Sequence, residues 1–226
     1  MIAPKDELEL ISGVNCKDEI KKAIKSVEKQ PLVEDLLYHK NCVTLEFVSR
    51  EDIQSTRNVD IEVVNGEYEW LDRVLTWTGS SYDKSELIDN CDGYSLLDSK
   101  DVESPYRYKI EFNKIIPAGE HIVYNIKSYV KDESHLMHTY FAQMIKNPTK
   151  KLVLKVIVPQ REGEGPLLEN VRYVRYADLN MEYEFPDDTN KVELENREGK
   201  KIYKLEIENP NLFYTYSIEW DFIKIF

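Results

Sequence analysis

Histidine, cysteine and carboxylate spacing is where chemistry would first show. His135 and His138 stand three apart, behind Asp132 and Glu133. On a helix the two imidazoles would share one face and could share a transition metal, but zinc asks for a third ligand and none stands at a fitting spacing. They are read as surface or boundary histidines. His39 and His121 are isolated in sequence. The run Asp89-Asn90-Cys91-Asp92-Gly93 has the composition of a calcium loop without its spacing. An EF-hand needs oxygen donors at the first, third and fifth positions and glycine at the sixth, whereas Cys91 takes the third and Gly93 the fifth.

Signatures of covalent and nucleotide chemistry are missing too. There is no G-x-S-x-G elbow, and Gly79-Ser80-Ser81 lacks the second glycine. Cys42 follows His39 closely, but nearness in sequence is not the geometry of a Cys–His pair. No G-x-G-x-x-G and no phosphate-binding P-loop occur. Accordingly no catalytic residue, metal or cofactor is assigned. An enzyme built from scattered acids and histidines is one alternative, and a sandwich recognising a small molecule, carbohydrate or cation is another.

Aromatics among acids are the strongest remaining signal. Trp70, Trp77, Tyr82 and Tyr94 lie in or beside residues 79 to 105, a polar, acidic, turn-rich stretch. Loops beyond about 12–15 residues are uncommon unless functional. Rim charges steer a partner and aromatic anchors hold it. The expected docking surface is therefore Tyr82, Asp83, Glu86, Asp89, Asp92, Tyr94, Asp98 and Asp101, facing a basic protein. Trp70 and Trp77 should lie on opposite faces of one strand, with Trp77 in the core.

Charge supports that choice of partner. The 226 residues carry a formal net charge of -12. Residues 1 to 113 hold 14 basic against 24 acidic side chains, a balance of -10, and the remainder 16 against 18, a balance of -2. Such acidity repels phosphate backbones and anionic lipid, which disfavours nucleic acid and membrane as partners. Met1 is followed by neither a basic start nor an apolar run of signal-peptide length, so a cytoplasmic address is expected. Oligomeric state is not legible.

The elements that must position these residues are mostly strands. Ile20, Ala23, Ile24 and Val27 share a helical face within 17–29, and a short second helix is expected from Leu32 to His39. Beyond residue 40 the period becomes two. Val43, Leu45 and Phe47 alternate with polar residues, and Asn65-Gly66 reads as a hairpin turn joining 58–64 to 68–77. Strands are further expected at 106–112, 121–131, 152–158, 170–176, 179–185 and 191–195, with 135–146 ambiguous between helix and bent strand. The C-terminal runs 202–208 and 213–222 flank Asn209-Pro210-Asn211. The latter places Tyr214, Tyr216, Ile218, Trp220 and Phe222 on one face, which must be buried.

The expected fold is mainly β: an antiparallel β-sandwich, as one large unit or two tandem immunoglobulin-like units, behind a short helical segment. The expected parts are a helical segment 1–40, a first β unit 41–100 with the acidic loop, and a sandwich 101–226. The expected function is a non-enzymatic binding or assembly module. Cys16, Cys42 and Cys91 are odd in number and show no C-x-x-C pairing, as suits free thiols. Intact-mass measurement after alkylation without reductant should find three reactive thiols, whereas a Cys42–Cys91 bridge would leave one.

Overall fold

The computed structural model describes residues 35–89, 91, 93–99, 106–160, 166–177, 184–185 and 191–222. These residues form strands and no helix, in a compact unit spanning Val33–Phe226. The expected helix at 17–29 lies outside them.

Three long strands organise the unit: β1 (Leu36–Phe47), β2 (Asp52–Val63) and β7 (His121–Lys131). They form the middle of a seven-stranded sheet in the order β12-β13-β9-β1-β2-β7-β4. Its other members are β4 (Ser81–Leu87), β9 (Lys151–Pro159), β12 (Glu193–Arg197) and β13 (Lys200–Glu208). All neighbours are antiparallel except β1 and β9, which run parallel from Asn41↔Leu152 to Glu46↔Ile157. A four-stranded sheet contains β8 (Tyr140–Met144), β10 (Leu168–Tyr176), β11 (Glu184–Phe185) and β14 (Thr215–Phe222). A three-stranded sheet contains β3 (Glu67–Leu75), β5 (Tyr94–Ser99) and β6 (Tyr106–Pro117).

The two small sheets cover one face of the large one, each over its own core. In the first core Val43, Leu45 and Phe47 of β1, with Leu154 and Val156 of β9 and Leu205 of β13, meet Tyr216, Ile218 and Trp220 of β14. In the second, Leu36 and Tyr38 of β1, Val59 and Ile61 of β2 and Ile122 and Tyr124 of β7 meet Leu71, Tyr108 and Ile110. β1 therefore runs under both. A bulge between Tyr38 and Lys40 shifts its register. Before it the even residues Leu36 and Tyr38 are buried, and after it the odd residues Asn41, Val43, Leu45 and Phe47. One extra residue reverses parity in a period-two strand.

That bulge explains why residues 36–39, expected in a helix from Leu32 to His39, belong to β1 instead. Adjacent Leu36 and Leu37, with alternation broken three residues later, imitate a helical stripe. The 65–66 turn is present, with Gly66 at φ +80°, but it does not make the expected hairpin. β2 pairs with β1 and β7, whereas β3 pairs with β6, so the turn carries the chain from one layer to another. The two C-terminal runs likewise part company, β13 joining the large sheet and β14 the four-stranded one. Stretch 79–105, expected as a loop, supplies β4 and β5 to different sheets. The ambiguous 135–146 stretch resolves into a turn and β8: Asp132 accepts hydrogen bonds from the backbone of Leu136 (2.8 Å) and Met137 (3.1 Å). Strands from either side of residue 100 share both the large and the three-stranded sheets.

The expected apolar face of β14 is buried. Trp220 is 2% exposed and meets Phe47 edge-to-face, ring centroids 6.4 Å apart. Replacing a buried aromatic by alanine costs about 3–5 kcal/mol. Trp220→Ala should lower the denaturant midpoint accordingly, and an unchanged midpoint would remove Trp220 from the core.

Candidate functional site

The inner face of the large sheet is not apolar throughout. Between the two cores β2 carries Ser55 and Arg57 where its alternation continues from Ile53 to Val59. Ser55 is paired with Ser128 of β7, and Ser128 with Ser85 of β4, so three serines stand in a row across three strands. Ser85 Oγ and Ser128 Oγ are 2.6 Å apart, and the Tyr82 hydroxyl donates to Ser85 at 2.9 Å. On β1 the same belt holds Asn41, which accepts from Arg57 Nε at 3.2 Å.

The two covering sheets leave this polar belt open to a cleft of about 730 Å³. Its floor includes Tyr38, Asn41, Arg57 and Ser128, and its walls come from Asp72–Thr78, at the end of β3 and just beyond, and from Tyr140–Asn147 around β8. Val43, Leu45, Val130, Met137 and Phe141 supply apolar lining. Three cationic side chains line it, Arg57, Arg73 and Lys146, against the single acid Asp72. A cationic cleft in a chain of net charge -12 is a local inversion of sign.

Arg73 is the unusual member. Its Nε donates to the Tyr124 hydroxyl at 2.8 Å and its Nη1 to the Asp72 carbonyl at 3.0 Å. The guanidinium lies 5.9 Å and 5.7 Å from the ring centroids of Tyr38 and Tyr124, within cation–π reach. Its Nη2 is shut from solvent and has no hydrogen-bond partner. No carboxylate among the described residues makes an ion pair with it. Burial works against its charge, but the surrounding Tyr124 and Tyr38 phenols outweigh that and hold its pKa above the ordinary value. Burial also pushes the Tyr108 phenol up, to about 12, so it stays neutral beside the cation. A second cleft-lining residue, Asn147, has an equally orphaned acceptor, Oδ1. Unpaired buried polar atoms are rare in folded proteins and call for an explanation.

The expected docking residues are dispersed. Tyr82 packs against the first core and Tyr94 against the second, where its ring centroid is 4.9 Å from that of Phe112. Asp83 is exposed at a register shift of β4, an edge strand, and Asp89 accepts from Asn125 Nδ2 at 2.9 Å. Hydrogen bonds from Tyr129 (2.6 Å) and then Lys84 (3.2 Å) hold the Glu86 carboxyl below its usual range. Asp98 sits in β5, in another sheet from β4. Asp92 and Asp101 lie outside the described residues. A bulge and charges on an edge strand also serve to block unwanted strand pairing. Trp77, expected in the core on the same strand as Trp70, instead lies past the end of β3, half-buried against the first core, and donates to the Lys131 carbonyl at 3.1 Å. Trp70 is 44% exposed, with Lys109 Nζ 4.8 Å from its ring centroid.

Histidines divide unexpectedly. His135, at φ +53°, lies in a turn rather than a helix, and His138 contacts the Tyr140 hydroxyl at 3.1 Å. His39 and His121, isolated in sequence, come together with their ring centroids 4.9 Å apart. Sequence carried a usable signal for the cleft, since Ser55 and Arg57 interrupt an otherwise apolar parity. It carried none for the histidine pair, whose members are brought together by strand pairing.

No family model matches the sequence, and no curated protein matches it. Among solved structures the chain is similar to a variant of a two-domain M1 zinc metallopeptidase bound to L-tryptophan, at 8% identity and TM-score 0.48, covering 82% of this chain and 43% of that one. It is also similar to an M1 zinc metallopeptidase from Deinococcus radiodurans, at 7% identity and TM-score 0.45, covering 82% and 42%. The chain thus spans about two fifths of the length of either protein. No residue role carries over at this distance.

A buried charge without a counter-ion is costly, and replacing such groups by apolar side chains of similar volume is often neutral or stabilising. If Arg73 is held for a ligand, Arg73→Met should raise the thermal midpoint of the free protein. A fall would make Arg73 a structural strut for Tyr38 and Tyr124.

Proposed function

We propose that this chain is a non-enzymatic recognition module whose inter-sheet cleft takes a small amphipathic ligand bearing an anionic group. The observation that carries this is Arg73, a permanently charged guanidinium on the cleft wall with one amino group unpaired. Arg73 is partly exposed, and rotation of its guanidinium would present this amino group to an incoming carboxylate, sulfonate or phosphate oxygen. Hydrogen bonds to charged groups contribute about 1.5–3 kcal/mol. The apolar body of the ligand would lie on Leu45, Val130, Met137 and Phe141, with Asn147 offering an acceptor to a ligand donor. A volume of about 730 Å³ suits a small molecule or a few residues of peptide.

This reading prefers the cleft to the acidic strip as the binding surface. Tyr82 and Tyr94, the intended aromatic anchors, are engaged in separate cores. Asp83 and the bulge beside it account for themselves as edge protection. The unbridged, half-buried thiols of Cys42 and Cys91 fit work in a reducing compartment. No described helix is long and apolar enough to cross a membrane, which says nothing of strands.

The test uses anilinonaphthalene sulfonate and its uncharged analogue phenylnaphthylamine as fluorescent probes of the full chain. Saturable binding of one sulfonate probe is expected, weakened at least tenfold by Arg73→Met, with the uncharged analogue little affected. Equal sulfonate affinity in the two proteins would sink the proposal.

A further inference from the structure

The outer face of the large sheet, opposite the cleft, brings together three groups of metal-ligand type. His39, Glu62 and His121 lie on the adjacent strands β1, β2 and β7, and one ligand atom from each falls within 4.8 Å of the others. Two features of the backbone place them there. Glu62 and His121 are direct cross-strand partners, which puts their side chains side by side on one face. His39 occupies the bulge of β1 between Tyr38 and Lys40, and a bulge re-aims the side chain it carries.

The surroundings are those of a ligand set. His121 Nδ1 is 2.7 Å from Asp60 Oδ1. A carboxylate holding one ring nitrogen fixes the tautomer and leaves Nε2 with its lone pair free, the arrangement that supports metal-bound histidines. His39 Nε2 is 2.7 Å from Glu62 Oε2. Lys150 Nζ stands 3.3 Å from His39 Nδ1 and is the one cation in contact with the cluster among the described residues.

We propose that His39, Glu62 and His121 form a binding site for one divalent transition-metal ion of zinc type, with Asp60 orienting His121. Two imidazoles and a carboxylate are the donors such ions prefer, whereas calcium and magnesium want oxygen alone. Zinc–nitrogen and zinc–oxygen bonds of about 2.0–2.2 Å place the donor atoms of one site roughly 3.3 Å apart. The His39–Glu62 pair at 2.7 Å is already close to that, and rotation of partly exposed side chains closes the remainder. Metal entry replaces the proton shared by His39 and Glu62, and it obliges His39 Nδ1 to carry the hydrogen instead. Lys150 donates to that same nitrogen, so it opposes metal binding. Three protein donors leave a fourth position open.

This site is separate from the cleft, and either can fail without the other. The test is equilibrium dialysis of the full chain, stripped with chelator and then titrated with zinc chloride after its cysteines are alkylated. One zinc per chain is expected. His39→Ala, Glu62→Gln and His121→Asn should each weaken binding at least tenfold, and Asp60→Asn by about tenfold, as loss of an orienting partner does. Lys150→Met should tighten it, an effect that a purely structural charge network would not produce. His135→Ala and His138→Ala should leave affinity unchanged. Melting curves in chelator confirm that each variant is folded, and cobalt(II) visible spectra report imidazole coordination independently. Absence of saturable zinc binding, or wild-type affinity in the His39→Ala/His121→Asn double variant, would overturn the proposal.

Discussion

Strand length is the constraint on which everything else here depends. β1 and β2 each have 12 residues and β7 has 11, and at about 3.3 Å per residue such strands run close to 40 Å. β1 runs under two separate cores, so neither small sheet alone covers the inner face of the large one. Two covers lie over one long sheet, and the belt between them cannot be apolar without exposing oil to water. That belt is where Asn41, Ser55, Arg57 and Ser128 stand.

The bulge in β1 lets a single strand serve both cores. A strictly alternating strand would keep one parity throughout, with Leu36 and Tyr38 buried at one end and Val43, Leu45 and Phe47 exposed at the other. The added residue turns both sets inward. It also leaves His39 on the outer face, in hydrogen-bond contact with Glu62. One local irregularity thus shapes the cores on one side and the histidine cluster on the other.

The cleft and the cluster stand differently toward stability. In the cleft, Arg73 holds a charge against burial with only phenols and a carbonyl for company. Proteins tolerate such groups where function requires them, and the cores at either end, built of residues such as Ile110, Leu154 and Ile218, supply the burial that offsets the cost. On the outer face the charges are paired and wet, as in Lys204 with Glu206 (2.9 Å), and contribute little to stability. Acidity along β4 belongs with this second group. Its aromatic neighbours Tyr82 and Tyr94, both in the acidic stretch, pack against different cores because the chain runs into two sheets.

By itself the sequence determined the class of the fold and many of its strands. Period two is a property of the chain alone, so β7, β9 and the buried face of β14 were legible from His121–Lys131, Leu152–Val158 and Tyr216–Trp220. Turn residues were legible too: Gly66 takes its positive φ as expected. Which strands pair was decided elsewhere. Asn65-Gly66 and Asn209-Pro210-Asn211 reverse the chain locally, but partner choice follows from burying the inner faces of the sheets against one another. β2 and β13 therefore went to one sheet, and β3 and β14 to others. Site composition was decided at the same level. Arg73 meets Tyr124 across 51 residues of chain and His121 meets Asp60 across 61, and separations of that size leave no periodic trace. Only the stacking of sheets, for Arg73 and Tyr124, and the pairing of strands within one sheet, for His121 and Asp60, could bring them together.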